Sequence, residues 1–190
     1  MLASASPRRK ELLGFTGLDF ETWTSDVDET PRVGEAPAEF CQRLSLEKAR
    51  AGCQEHPGAL IIAADTIVVL ENQILGKPID AEQAKTYLHS LSGRTHAVMT
   101  GYTIIDTPGG RRITRVVSTA VCFKPMTKAE IDWYVASGEP MDKAGAYAIQ
   151  GSGGLFIERI DGSHSNVVGL PLAEIYSDLK SLGLTLAQAS

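Results

Sequence analysis

The chain has 190 residues, 43% hydrophobic and 22% charged, with 18 Lys and Arg against 23 Asp and Glu and a net charge of −5. That length supports one good core or two lobes sharing a cleft, and the mild acidity argues against non-specific nucleic-acid binding, which needs a broad basic surface. The scattered cysteines Cys41, Cys53 and Cys122 have no metal or redox spacing, and no apolar run reaches bilayer length. With no apolar signal core at the N-terminus, the expectation is a soluble cytoplasmic protein without membrane or nucleic-acid partners.

Met1-Leu2 gives the first strand almost no lead-in, and the chain turns at once into a helix from Pro7 to about Phe15. Ser6 is its N-cap, with a hydroxyl placed to accept an orphan amide hydrogen. Pro7 takes the first helical position. Arg8, Arg9 and Lys10 then crowd the positive end of the helix dipole, which disfavours cations. Free amides, dipole and guanidinium forks suit a polyphosphate; the alternative is a solvated basic turn. Any phosphate has to be held by such a local cluster, because the global field is unfavourable. Phe20 to Ser25 alternates as a strand. Asp26, Asp28 and Glu29 follow, as either a Mg²⁺ ligand set or a solvated acidic loop. A helix opens at Pro37 and runs to about Gly52, with Phe40, Leu44 and Lys48 on one stripe. Lys48 either snorkels to the rim or points into a cleft, and snorkelling is the expectation for an isolated lysine.

Ala59 to Ala64 reads as a buried central strand ending at Asp65-Thr66, with Ile67 to Leu70 resuming as another strand. A carboxylate at the carboxyl end of a core strand is where open α/β sheets place their chemistry. It is costly there without a partner. Glu71-Asn72-Gln73 is a polar turn, and Lys77 sits exposed and stiff between Gly76 and Pro78. Asp80 to Gln83 starts a helix to about Leu91 that stops at Ser92-Gly93. Thr95 to Asp106 and Ile113 to Phe123 form a hairpin. Thr127 and Glu130 make a capping box for a helix to about Ser137. Asp142 to Gly154 carries Gly145, Gly151, Gly153 and Gly154 beside Lys143 and Gln150. It reads as a loop that lets backbone approach a ligand, without the GxxxxGK[ST] order. Leu155 to Ile160 and Ser165 to Gly169 are short strands. A last helix runs from Leu172 to about Leu182, and Gln188-Ala189-Ser190 is a frayed tail. Trp23 and Trp133 belong to the core or an interface. His56, His89, His96 and His164 lie in unrelated contexts, so no Ser-His-Asp set forms. The fold expected is one α/β domain over residues 1–190, with a mixed sheet and two lobes around a groove.

The cations Arg8, Arg9, Lys48, Lys77 and Lys143, with the carboxylates Asp65 and Glu29 or Asp28, suit a nucleoside triphosphate. Cations would hold the phosphates, and carboxylates would serve a metal and a water in phosphoanhydride hydrolysis. A free aspartate is a weak base at neutral pH. Asp65 therefore serves as proton acceptor only with a well-placed or metal-activated water, or after desolvation.

Leu2-Ala3-Ser4-Ala5-Ser6-Pro7-Arg8-Arg9, Glu47-Lys48-Ala49, Ala64-Asp65-Thr66-Ile67-Val68, Gly76-Lys77-Pro78, Asp142-Lys143-Ala144-Gly145-Ala146-Tyr147 and Asn166-Val167-Val168-Gly169-Leu170-Pro171 resemble the Maf family of nucleoside triphosphate pyrophosphatases, in family order and over nearly the whole chain. The resemblance implies an elongated mixed α/β structure of the inosine triphosphate pyrophosphatase-like (Maf/Ham1) fold. It implies cleavage between the α and β phosphates and a divalent cation, Mg²⁺ or Mn²⁺. Asp65 matches the proton acceptor, and Asp65, Lys77 and Glu29 form the catalytic set, with Asp65 and Glu29 also as metal ligands. Arg8, Thr66 and Gln150 match specificity positions; Arg9, Lys48 and Ser6 complete the substrate-binding set. Asp65-Thr66 with the later Ile149-Gln150-Gly151 resembles the dTTP/UTP branch, since Thr66 and Gln150 offer a hydroxyl and an amide to a pyrimidine edge. The alternatives are the 7-methyl-GTP branch, and a nucleotide-binding regulator of cell division. A homodimer is compatible with the resemblance, although the chain has no heptads.

Overall fold

The computed structural model describes residues 1–184, so the expected frayed tail at Gln188-Ala189-Ser190 lies outside the described residues. In chain order the elements are β1 (Leu2–Ala3), α1 (Pro7–Gly14), β2 (Thr22–Trp23), α2 (Pro37–Glu55), β3 (Leu60–Leu70), β4 (Gln73–Leu75), α3 (Ala81–Leu91), β5 (Thr95–Asp106), β6 (Arg111–Phe123), α4 (Lys128–Ala136), β7 (Ile157–Asp161), α5 (His164–Val168) and α6 (Leu172–Ser181). Three 3-10 turns, Glu139–Asp142, Ala144–Ala146 and Ser152–Phe156, fill most of the glycine-rich stretch before β7. The strands form a seven-stranded mixed sheet in the order β2-β1-β3-β5-β6-β7, with β4 paired to β3. β1 is parallel to β2 and β3, with Leu2 opposite Thr22 and Ile62. β4 and β7 run antiparallel to β3 and β6.

Several local expectations match. Ser6 caps α1, Asp80 caps α3, and Thr127 with Glu130 closes a reciprocal capping box on α4. The hairpin of β5 and β6 turns at residues 107–110. Glu71 and Asn72 both adopt positive φ, 48° and 68°, which closes a tight hairpin from β3 into the unforeseen strand β4.

Other expectations are corrected. β3 does not stop at Asp65; it continues through Asp65 and Thr66 as one strand of 11 residues. Asp65 therefore sits in mid-strand and not at a strand's carboxyl end. The Phe20 to Ser25 strand shrinks to Thr22–Trp23, and the strand placed at Leu155 begins at Ile157. The strand expected at Ser165 to Gly169 is instead the helix α5, which ends at Val168. Ser163 caps it, accepting from Asn166 N–H at 3.3 Å, while the buried Asn166 amide donates to Val98 O and Thr119 Oγ1, both at 3.0 Å. Those anchors override the β preference of Val167 and Val168. Trp133 is 54% exposed, outside any core.

The chain divides into two compact units, one comprising residues 1–65, 100–117 and 169 onward, the other 66–99 and 118–168. In the first, the alanines Ala3, Ala49 and Ala63 let β1, β3 and α2 pack closely around the buried Ile61. Gly101 lies against the backbone of α2, where a Cβ would strike the Cys41 carbonyl. Ser45 and Thr103 hydroxyls meet across the same contact at 3.0 Å. In the second, Val68, Leu88, Phe123, Tyr134, Tyr147 and Phe156 share one core. Phe123 and Tyr147 meet edge-on at 4.8 Å.

Candidate active site

The N-terminus of α1 is built by its cap. Ser6 Oγ accepts from the Arg9 N–H at 3.4 Å, and the Ser6 N–H donates to Ser4 Oγ at 3.2 Å. Arg9 turns inward. Its Nε donates to Gly169 O at 2.8 Å, and its Nη1 donates to Ala64 O at 2.7 Å. Burial lowers the Arg9 pKa, opposed by the attraction of the Asp65 carboxylate. The guanidinium thus ties the start of α1 to the residue before Asp65 and to the turn before α6. Arg8 is half-buried and has no hydrogen-bond or ion-pair partner among the described residues.

Lys48 is the second focus, and it corrects the snorkelling expectation. It is only 8% exposed, and its Nζ lies 2.7 Å from Asp65 Oδ1 and 2.6 Å from Glu29 Oε1. Asp65 is equally buried, whereas the Glu29 side chain is 59% exposed. One ammonium therefore holds two carboxylates that are far apart in sequence. A buried Asp65 in the middle of a strand is tolerable because this partner is present. Asp28 takes no part; it accepts from the Thr30 N–H at 2.9 Å in its own loop. The neighbouring Cys41 thiol is pushed up to about 12 by burial, with the Asp65 charge adding to it. It stays protonated and inert.

The six candidates Ser6, Arg8, Arg9, Glu29, Lys48 and Asp65 belong to the first unit; Thr66, Lys77 and Gln150 belong to the second. Within the second unit, Lys77 and Gln150 are exposed and have no hydrogen-bond or ion-pair partner among the described residues. The Gly145 N–H donates to Gly76 O at 3.0 Å, so the Lys143 segment lies beside the Lys77 segment. Gly145 has φ 67°, and a Cβ there would press on Val68 at 2.8 Å, so only glycine suits this approach. Lys143 itself is ion-paired with Asp142.

Among the described residues no three His, Cys, Asp or Glu side chains cluster as a metal cage. A two-carboxylate set is nonetheless what Mg²⁺ uses when substrate oxygens and waters fill its other positions. Asp65 and Glu29 supply hard carboxylate oxygens of the kind Mg²⁺ takes, while the point on which they converge is filled by the Lys48 ammonium.

One group of residues went unnoticed in the sequence. Glu139 Oε1 accepts from Tyr134 Oη at 2.8 Å and from the Gly153 N–H at 3.1 Å; its Oε2 accepts from the Ser152 N–H at 3.0 Å. The only linear signal was the glycine-rich stretch Gly151-Ser152-Gly153-Gly154, whose amides need acceptors. Nothing in the sequence named which carboxylate supplies it.

The profile of the Maf-like protein family matches residues 1–182. The dTTP/UTP pyrophosphatase of Syntrophus aciditrophicus is 52% identical over 96% of this chain and 89% of its own length. The dTTP/UTP pyrophosphatase of Geobacter metallireducens is 51% identical, over 96% of this chain and 95% of its own. Among solved structures, a HAM1 protein from Coxiella burnetii is similar with a TM-score of 0.51 and 16% identity, covering 95% of this chain and 97% of its own. At that identity the likeness speaks for the fold alone. The sequence motifs, the mixed sheet and the full-length profile match agree, and the chain belongs to the Maf family.

Proposed function

We propose that this protein is a nucleoside triphosphate pyrophosphatase that hydrolyses dTTP and UTP to the monophosphate and pyrophosphate. Relatives about half identical over nearly the whole chain bear that activity in their names, and the observation in the site that carries the reading is the Lys48 ammonium shared by Asp65 and Glu29. In this reading Asp65 takes a proton from a water as the water oxygen bonds to phosphorus. The bridging α–β bond breaks, and its electrons leave with pyrophosphate. Lys48 fixes the Asp65 carboxylate in one orientation for that transfer. Arg8 and the amides at the start of α1 bind phosphate oxygens, as a helix N-terminus does. Arg9 acts on the same end, from its bonds to Ala64 and Gly169. Lys77 meets the developing charge of the leaving group. Thr66 and Gln150 select the pyrimidine edge by hydrogen bonding.

A divalent cation, Mg²⁺ or Mn²⁺, would be held by Asp65 and Glu29 and would supply charge neutralisation on the phosphates. The reading also takes the protein to act in the cytoplasm, with no nucleic-acid partner. Among the described residues no helix is long and apolar enough to cross a membrane. A homodimer is a further expectation, checked by light scattering.

The deciding assay is pyrophosphate release with Mg²⁺ over dTTP, UTP, CTP, dATP, GTP, 7-methyl-GTP and 5-methylated pyrimidine triphosphates. Turnover of dTTP and UTP with little of the purines is expected. Dominant turnover of 7-methyl-GTP overturns the branch. Binding without turnover of any compound overturns the enzyme in favour of a nucleotide-binding regulator. The Asp65→Asn variant is expected to stay folded and lose hydrolysis by about 100-fold or more, the scale of losing a positioned proton acceptor.

A further inference from the structure

Gln150 sits on the stretch Ala148 to Gly153, and both ends of that stretch are held by one polar cluster of the second unit. At the near end, the Ala148 N–H donates to Tyr134 Oη at 3.3 Å. At the far end, the Ser152 and Gly153 N–H groups donate to Glu139 at 3.0 and 3.1 Å. Tyr134 Oη in turn donates to Glu139 at 2.8 Å, which closes the cluster. Tyr134 is fully buried against Phe156, so the clamp stands on the core and not on another loop. Burial alone would raise the Glu139 carboxyl, but the two loop amides and the Tyr134 hydroxyl outweigh it and hold the group below the usual range.

The glycines in this stretch are the complement of the carboxylate. Gly151 has φ 97°, and a Cβ there would meet Glu139 Oε2 at 2.9 Å. A Cβ on Gly153 would strike Ala148 O and Tyr134 Oη. The loop backbone is thus wrapped around one carboxylate, leaving the exposed Gln150 side chain between its two tethered ends. Two amide bonds to a charged acceptor are strong enough to fix a loop that glycines would otherwise leave free.

We infer that Glu139, with Tyr134, is a positioning residue for specificity: it holds the 148–153 loop so that Gln150 presents its amide to the pyrimidine of the substrate in one geometry. The inference rests on the reading of Gln150 as a base contact given above. It does not make Glu139 a catalytic residue, because its bonds go to the loop and to Tyr134.

The experiment compares Glu139→Ala, Glu139→Gln, Gln150→Ala and the Glu139→Ala/Gln150→Ala double variant in the full chain. KM and kcat are measured for UTP, dTTP and CTP, and amide hydrogen exchange is followed at Ser152 and Gly153. Glu139→Ala is expected to speed exchange at both amides and to raise KM for UTP and dTTP about ten-fold, with kcat changed no more than about two-fold, the signature of lost ground-state binding. Preference over CTP should shrink with it. Glu139→Gln keeps one acceptor oxygen, tests the site if the alanine variant fails to fold, and should fall between wild type and alanine. The double variant should bind no worse than Gln150→Ala alone, because the two act through one contact. Glu139 variants with wild-type KM beside a Gln150→Ala that raises it would overturn the inference and leave the reading intact, as would fully additive losses in the double variant. A Gln150→Ala variant with wild-type KM and base preference would overturn the base-contact role itself, and the positioning role with it.

Discussion

At the residue scale the tightest dependence is among Lys48, Asp65 and Glu29. Replacing Lys48 by Met keeps the helical stem but leaves a buried aspartate without its partner and turns two carboxylates on each other. We expect kcat/KM to fall at least about 100-fold and stability by about 3 kcal/mol, the scale of removing one partner from a buried ion pair. Urea denaturation beside the pyrophosphate assay separates the two losses. His96 gives a second residue-level test. It is 3% exposed, its Nε2 meets Tyr147 Oη at 2.7 Å, and burial lowers its pKa to about 4. The unfolded chain has the ordinary His value of about 6.5 and binds the extra proton first as pH falls. Stability from this site is therefore complete above about pH 6.5 and drains away toward pH 4, by about 3 kcal/mol in all. The His96→Phe/Tyr147→Phe double variant should lose that slope, read as the denaturation midpoint against pH. Asp178, held low despite burial by Arg115 and Tyr102, gives up its share only as pH falls below the usual carboxylate range.

At the element scale, the contact of α2 with β5 keeps Lys48 in place. Gly101 is the point where β5 touches the α2 backbone, and any Cβ there collides with the Cys41 carbonyl. A backbone cannot step aside as a flexible side chain can. Gly101→Ala is expected to cost about 3 kcal/mol or to prevent folding, read from the denaturant midpoint. Because α2 carries Lys48, the surviving folded fraction should show lower activity than stability alone accounts for. Sequence patterns read elements well here where local chemistry decides. The caps at Ser6, Asp80 and Thr127 and the turn at residues 107–110 needed only their own neighbours. They read poorly where distant partners decide. Asp65-Thr66 looks like a strand end, yet sheet pairing carries the backbone straight through. Val167-Val168 looks extended, yet Asn166 is held by Val98 and Thr119 from elsewhere in the chain.

At the scale of the whole molecule, a chain of net charge −5 has to bind a polyanion through a few local cations. Two consequences can be measured. A non-hydrolysable triphosphate with Mg²⁺ at 100 times its Kd should stabilise the folded protein by about 2.7 kcal/mol, seen as a rise in Tm. The same ligand without divalent cation should stabilise it much less, because phosphate charge would then face Asp65 and Glu29 unscreened. Loss of the difference between the two conditions would count against the carboxylates as metal ligands.

The sequence by itself determined the family, the alternation of strands and helices, and the basic start of α1. Each is written in residues that are neighbours along the chain, and the motifs lie in one fixed order. Only the tertiary structure decided what those residues face. Lys48 lies on an apolar stripe, where a lone lysine would reach for water. It stays buried because Asp65 and Glu29 come to it from outside α2, and a paired charge can remain where a single one cannot. The same holds for Glu139, silent in the sequence, which becomes the acceptor for the Gln150 loop only when the chain after α4 folds back on it. Periodicity records which face of an element is apolar. It carries no record of which distant carboxylate or amide will meet that face, and that pairing sets both the burial and the chemistry.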